Sequence, residues 1–203
     1  GVWLTGPIEL TSRLELHLEQ GAVVLFSPEI EDYPPIRGTY EGQTSVRRQS
    51  PLTGQDCEHI AITGDGIIDG NGQAWRPVKR SKLTARQWKE LTASGGAVDA
   101  DGRIWYPSEA SLKGEQTVRA LDRQRADTQA YAAAGEYLRP VMVSLVNCRQ
   151  VLLDGPTFQN SPAWNIHPLL CENMIIRNVS VRNPWWSQNG DGLDLESCRN
   201  VLV

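Results

Sequence analysis

Four side chains able to handle protons crowd into two short stretches near the end of the chain. His167 lies in Asn165-Ile166-His167-Pro168-Leu169, and Asp191, Asp194 and Glu196 lie in Asp191-Gly192-Leu193-Asp194-Leu195-Glu196. Trp164, Trp185 and Trp186 flank them. Carboxylates and imidazole bind hydroxyls or move protons, and indole rings can cover the apolar faces of pyranose units. Acid groups held close together acquire separated pKa values, as glycoside hydrolysis requires. Each residue also has a plainer reading. A lone outward histidine is commonly a surface residue, adjacent carboxylates form a solvated acidic turn, and Trp185-Trp186 can cover the end of a core. Convergence on neighbouring segments is what favours a sugar site.

The cysteines supply the ruler that makes these segments neighbours. Cys57-Glu58-His59-Ile60-Ala61-Ile62, Cys148-Arg149-Gln150-Val151-Leu152-Leu153, Cys171-Glu172-Asn173-Met174-Ile175-Ile176 and Cys198-Arg199-Asn200-Val201-Leu202-Val203 share one pattern. Each begins with Cys and a charge, continues with His, Gln or Asn, and ends in three apolar residues. The last three copies recur at a period that suits a solenoid, in which every repeat covers the next. His167 stands four places before Cys171 and Asp194 four before Cys198, while Trp164 and Asp191 stand seven before. With Ile166, Leu169, Leu193 and Leu195 facing inward, His167 and Asp194 point out from adjacent rungs on one face.

The repeats are short, rich in β-branched residues and punctuated by Asp154-Gly155-Pro156, Asn160-Ser161-Pro162 and Asn183-Pro184. They leave no room for a long helix, and the Leu/Asn spacing of leucine-rich repeats is missing. The expected fold is all-β, a parallel β-helix with three short strands per coil. Stacked rungs put the cysteines in a column about 4.8 Å apart, wider than the Cβ separation of about 3.8 Å in a disulfide. They should be free thiols packed as small hydrophobes, and the clustering that a metal site needs is absent. Leu14–Leu18, Gly21–Leu25 and Ile67–Gly72 read as strands and turns of the same coil. Residues 76–139 break the pattern with helix-like stretches at Thr84–Leu91 and Glu115–Ala134, an insertion that either decorates the coil or walls a groove with Trp88, Trp105 or Tyr106. The chain then reads as one β-helix domain over 1–203 with that insertion inside it.

Composition narrows the partners. The 203 residues are 40% hydrophobic and 22% charged, an ordinary globular balance. A net charge of −4 and a pI near 5.4 give no basic footprint for nucleic acid. The longest apolar run near the start, Ala22–Phe26, is too short for a membrane span or a signal core.

Asn189-Gly190-Asp191-Gly192-Leu193-Asp194 resembles the Asn-x-Asp-Gly-[Ile/Leu]-Asp signature of the polygalacturonases, glycoside hydrolase family 28. Gly64-Asp65-Gly66-Ile67-Ile68-Asp69-Gly70-Asn71-Gly72 with Trp75, and Phe158–Trp164 with His167, match in order, and the long insertion is most similar to bacterial exo-acting members. The resemblance implies a right-handed parallel β-helix that cleaves α-linked galacturonic acid in pectin with inversion and without a cofactor. It implies that Asp191 activates water, that Asn189 and Asp194 support it, and that His167 and Trp164 contact sugar. The implied ligand is a pectic polysaccharide or oligogalacturonide, and the implied location is secreted or periplasmic. The family's Gly-Asp-Asp and Gly-His-Gly motifs do not occur in the sequence, and no Arg-x-Lys follows the Asp191 segment, where the family carries it. The expectation is therefore the N-terminal portion of a longer enzyme, inactive by itself. Two alternatives stay open: a β-helix polysaccharide lyase, which would use Ca²⁺ and a basic residue, and a non-catalytic carbohydrate-binding or adhesin module.

Overall fold

The computed structural model describes all 203 residues. Three parallel sheets run along the coil. The first stacks Val2–Thr5, Val23–Phe26, Ile67–Asp69, Thr157–Gln159 and Ser180–Arg182. The second stacks Ile8–Glu9, Leu52–Gln55, Val143–Val146 and Ile166–Leu169, and bridges at Leu193 and Glu196 extend it. The third stacks Glu15–His17, Glu58–Thr63, Arg149–Asp154, Glu172–Arg177 and Arg199–Leu202. The chain visits the three sheets in turn and climbs one rung per circuit. This is a parallel β-helix.

The repeated hexapeptide is the corner into the third sheet. Asp56, Asn147, Leu170 and Ser197, each just before a cysteine, have φ of 54°, 52°, 57° and 51°. His59, Gln150, Asn173 and Asn200, two places after it, are left-handed as well, at 58°, 54°, 57° and 54°. That explains the polar third place of the pattern: asparagine tolerates the left-handed region better than a branched apolar residue does. The cysteines form the expected column of free thiols. Each Sγ–H reaches a carbonyl one rung below, Cys57 to Leu10 O at 3.3 Å, Cys148 to Gly54 O at 3.4 Å, Cys171 to Leu145 O and Cys198 to Pro168 O at 3.3 Å.

Nineteen buried side chains make one continuous core inside the coil, with Leu52, Leu145, Leu153 and Phe158 wholly enclosed. Cutting one such leucine to alanine costs about 2–5 kcal/mol. Leu195 keeps the inward register expected of it, in line with the buried Pro168 and Leu145.

All the elaboration falls at one corner, between the first and second sheets. On the second rung this corner carries an antiparallel hairpin, Pro35–Tyr40 with Gln43–Arg48. Glu41 at φ 52° and Gly42 at φ 72° turn it, the positive pair that a two-residue hairpin needs. On the third rung it carries the large insert. Gly72 N–H still bonds Asn160 O at 2.7 Å and Met142 N–H bonds Trp164 O at 2.9 Å, so the chain leaves the coil between them.

Within the insert, helix Ala85–Ala93 starts at Thr84, whose hydroxyl accepts from Gln87 N–H in a capping box. The helical stretch expected over Glu115–Ala134 is divided. Helix Gly114–Gln124 closes at Arg125, which is left-handed, and Asp127 caps a separate 3₁₀ segment, Thr128–Leu138. Three short antiparallel strands complete the insert, Val78–Lys79 and Ala97–Val98 on either side of Ile104–Tyr106. Tyr131, Ala134 and Leu138 of the insert pack on Val46 of the hairpin in a second small core. Hairpin and insert thus form one wall beside the second sheet.

Candidate active site

Parallel register sets the site's spacing. Asn165 N–H donates to Asp191 O at 2.9 Å, Ile166 N–H to Gly192 O at 3.2 Å, and Asp194 N–H to Ile166 O at 2.9 Å. With Ile166 opposite Leu193 and Leu169 opposite Glu196, His167 lies in line with Asp194. Below His167 in the same column are Ser144, Thr53 and Glu9. His167 points away from the coil's core, as the register requires, yet it is only 3% exposed. The hairpin covers it.

That cover is an aromatic stack. Arg47 lies over the Tyr40 ring at 3.7 Å, Tyr40 stacks on Trp164 at 4.5 Å and 21°, and Trp164 meets His167 edge-on at 5.3 Å. His167 Nε2 and Glu196 Oε2 are 3.0 Å apart. Trp164 is half-buried, one face given to Tyr40 and the edge of its ring to His167. Between hairpin and sheet lies a cavity of about 450 Å³, floored by Thr53, Ser144 and His167 and roofed by Ile36–Tyr40 and Arg47.

Asp191 sits in the turn Pro184–Gly192, where its side chain is exposed. Three contacts hold the turn. Asn183 Nδ2 donates to Gly190 O at 2.8 Å and its Oδ1 accepts from Ser161 N–H at 2.9 Å. Gly190 leaves no space for a side chain, since a Cβ there would stand 2.8 Å from Ser187 Oγ. Arg139 donates through Nη1 to Pro162 O at 3.1 Å and Gln188 O at 2.9 Å, and through Nη2 to Asn189 Oδ1 at 2.9 Å. Asn189, at φ 53°, is the left-handed residue of the turn. Beneath it, the buried Arg76 donates to Ser187 Oγ at 2.6 Å and lies over Trp186 at 5.1 Å. Trp185 faces out beside Lys82.

Electrostatics set the two aspartates apart. Burial holds the Asp194 carboxyl above the usual carboxylate range, the charge of Asp191 pushes it further up, and His167 pulls it back. Asp194 Oδ2 is buried with no protein partner. Burial also lowers the Arg139 guanidinium to about 10, with Arg47 contributing in the same direction. The five positions singled out in the sequence come together in part. Asp194, His167 and Trp164 share the outer face of the second sheet, and Asn189 and Asp191 stand on the turn at its edge. Tyr40, Arg47 and Arg139 join them from outside the coil. The turn chemistry of Glu41-Gly42 was the only sequence signal for the hairpin that brings Tyr40 and Arg47 in.

The structure is thus a parallel β-helix with Asp191, Asp194, His167 and an aromatic stack along one outer face. Solved structures of similar shape include an exopolygalacturonase from Thermotoga maritima, with a TM-score of 0.71 and 32% identity, matching 99% of this chain and 41% of that one. A family 28 exopolygalacturonase from Yersinia enterocolitica gives a TM-score of 0.65 and 25% identity, matching 99% and 35%. Residues 78–203 match the family described as glycosyl hydrolases family 28, and the chain belongs to that family. Among curated relatives, a probable polygalacturonase of Vitis vinifera and an exo-poly-alpha-D-galacturonosidase of Dickeya chrysanthemi are each 27% identical across the whole chain. The chain spans about a third of the length of these relatives, 32% and 33%.

Proposed function

We propose that this chain supplies the water-activating half of an inverting glycoside hydrolase that cleaves α-galacturonosyl linkages of pectic polysaccharides, outside the cell or in the periplasm. The observation that carries the reading is the pair Asp191 and Asp194 on adjoining positions of one outer face, with Asp194 in line with His167 and the Tyr40–Trp164 stack beside it. Exposed Asp191 polarises a water molecule, with Asn189 and Asp194 in support, while Trp164 and His167 present a surface to the sugar. Inverting hydrolysis needs an acid on the far side of the bond, spaced widely enough to admit that water. The acid implied by the resemblance, in a Gly-Asp-Asp rung, is not among these residues.

Action at chain ends is the favoured mode. The hairpin roofs the second sheet below His167, so a polymer cannot continue straight down that face, and three of the similar proteins are named as exo-acting. The test has two arms. The chain itself should bind trigalacturonate. In a polypeptide that joins it to the Gly-Asp-Asp rung, polygalacturonate should yield reducing ends without ultraviolet-absorbing unsaturated product, and Asp191→Asn should abolish that turnover without lowering the thermal unfolding midpoint. Near-normal turnover in the variant, or unsaturated product, sinks the assignment.

A further inference from the structure

A second cavity, about 360 Å³, opens where the hairpin, the insert and the Asp191 turn meet. Tyr40 and Arg47 of the hairpin, Lys79, Tyr137 and Arg139 of the insert, and Asn189 of the turn all line it. Tyr40 and Arg47 border the His167 cavity too, so the two spaces adjoin.

The cations here make no contact with an acid, although the charge of Glu41 acts on Arg47 from the hairpin tip. None of Arg47, Lys79 and Arg139 forms an ion pair, whereas most of the chain's salt bridges lie on its exposed faces. Two carboxylates also line the space. Glu136 is engaged by the Ser108 hydroxyl, and Glu41 is exposed at the hairpin tip. Arg139 spends its donors on Pro162, Gln188 and Asn189. Arg47 keeps most of its own: it makes one long contact, Nη1 to Arg139 O at 3.5 Å, and lays its flat face on Tyr40. Burial is the main force lowering its pKa. Taking a guanidinium out of water without an anion is costly, and a planar carboxylate offset by a fork of N–H donors relieves that cost. Tyr40 and Tyr137 supply ring surface for the rest of a sugar.

We propose that this cavity is a receptor for one uronate carboxylate, gripped by Arg47 and Lys79, and that it selects acidic over neutral sugars at the site. The inference rests on the galacturonide reading above and names which group of the substrate is read, and by which residues.

Calorimetric titration of the 203-residue chain with trigalacturonate and with its fully methyl-esterified form separates the possibilities. Arg47→Gln and Lys79→Met should each weaken binding of the acid form roughly tenfold, the effect of losing a hydrogen bond to a charged group, and leave binding of the ester within about twofold. Arg47→Lys should recover part of the loss, since it restores charge without the fork. Lys79 is exposed, so its variant keeps the fold even if Arg47→Gln loosens the hairpin. Unchanged acid binding in Lys79→Met and Arg47→Gln overturns the receptor while leaving the galacturonide reading standing. Equal losses for acid and ester also overturn it, since the residues would then be serving shape alone. A wild-type chain that binds neither form overturns the galacturonide reading, and the receptor with it.

Discussion

Glu196 reaches back one rung to lie 3.0 Å from His167 Nε2, although the backbone register sets His167 opposite Asp194. The consequence is a histidine that is buried, 3% exposed, and still satisfied at one ring nitrogen. Glu196→Ala leaves that nitrogen enclosed with no partner, and such a loss costs about 1–3 kcal/mol. Urea unfolding should show a lower midpoint at constant slope. Glu196→Gln, which can still accept the bond, should recover most of it. An alanine variant as stable as the parent would show that the pair does not contribute.

The Asp194 carboxyl should respond to the charge of Asp191. The raised pKa of Asp194 has burial as its main cause and Asp191 as its second, so Asp191→Asn should lower it while leaving the burial contribution in place. The linkage has a definite sign. A carboxyl that binds its proton more readily folded than unfolded favours the folded state below its ordinary value of 3.8, and loses that contribution as pH rises through the folded pKa. The variant should therefore gain relative stability on the alkaline side of 3.8. Carbon-detected titration of the Asp194 carboxyl, with urea midpoints across the same pH range, checks both parts.

Arg139 is the tie between insert and turn. Its three hydrogen bonds end on Pro162, Gln188 and Asn189, and Arg139→Met removes them together. The amides that donate onto the turn, Asn165 to Asp191 O and Ile166 to Gly192 O, should then exchange faster by at least about tenfold, the effect of one or two lost bonds, while those of Leu145 and Leu153 in the core keep their protection. Hydrogen exchange read residue by residue distinguishes this from general loosening, in which core amides would quicken as well.

The coil was legible because its signal is repeated and local. One hexapeptide, read four times, placed the cysteines, the rungs and the alignment of His167 with Asp194. The pattern even carried the left-handed corner, as the polar residue at His59, Gln150, Asn173 and Asn200, before any backbone angle explained it. The cover over His167 was not legible. It depends on Tyr40 meeting Trp164, residues separated by the whole insert, and no local periodicity reports such a contact. The division of the long helix at Arg125 was written in Asp127, whose carboxylate accepts from Gln129 N–H and competes with continued helix. Alanine content around it masked that signal.

The thiol ladder makes a prediction about access that also tests the rung assignment. Cys57, Cys148 and Cys171 are buried, with Sγ–H bonded to a carbonyl of the rung below, and Cys198 on the last rung is partly exposed. Alkylation requires the thiolate and a path to it. In the native chain, iodoacetamide should modify Cys198 first, and the other three should react only as fast as the coil opens. In denaturant without reductant all four should react, since none is bridged. Mass spectrometry of the peptides gives the order directly. Cys171 lies one rung below Cys198 and is covered by it, so it should be the next to react if the coil frays from that end. Simultaneous modification of Cys57 and Cys171 under native conditions would contradict a solenoid that opens rung by rung, because Cys148 stands between them in the column.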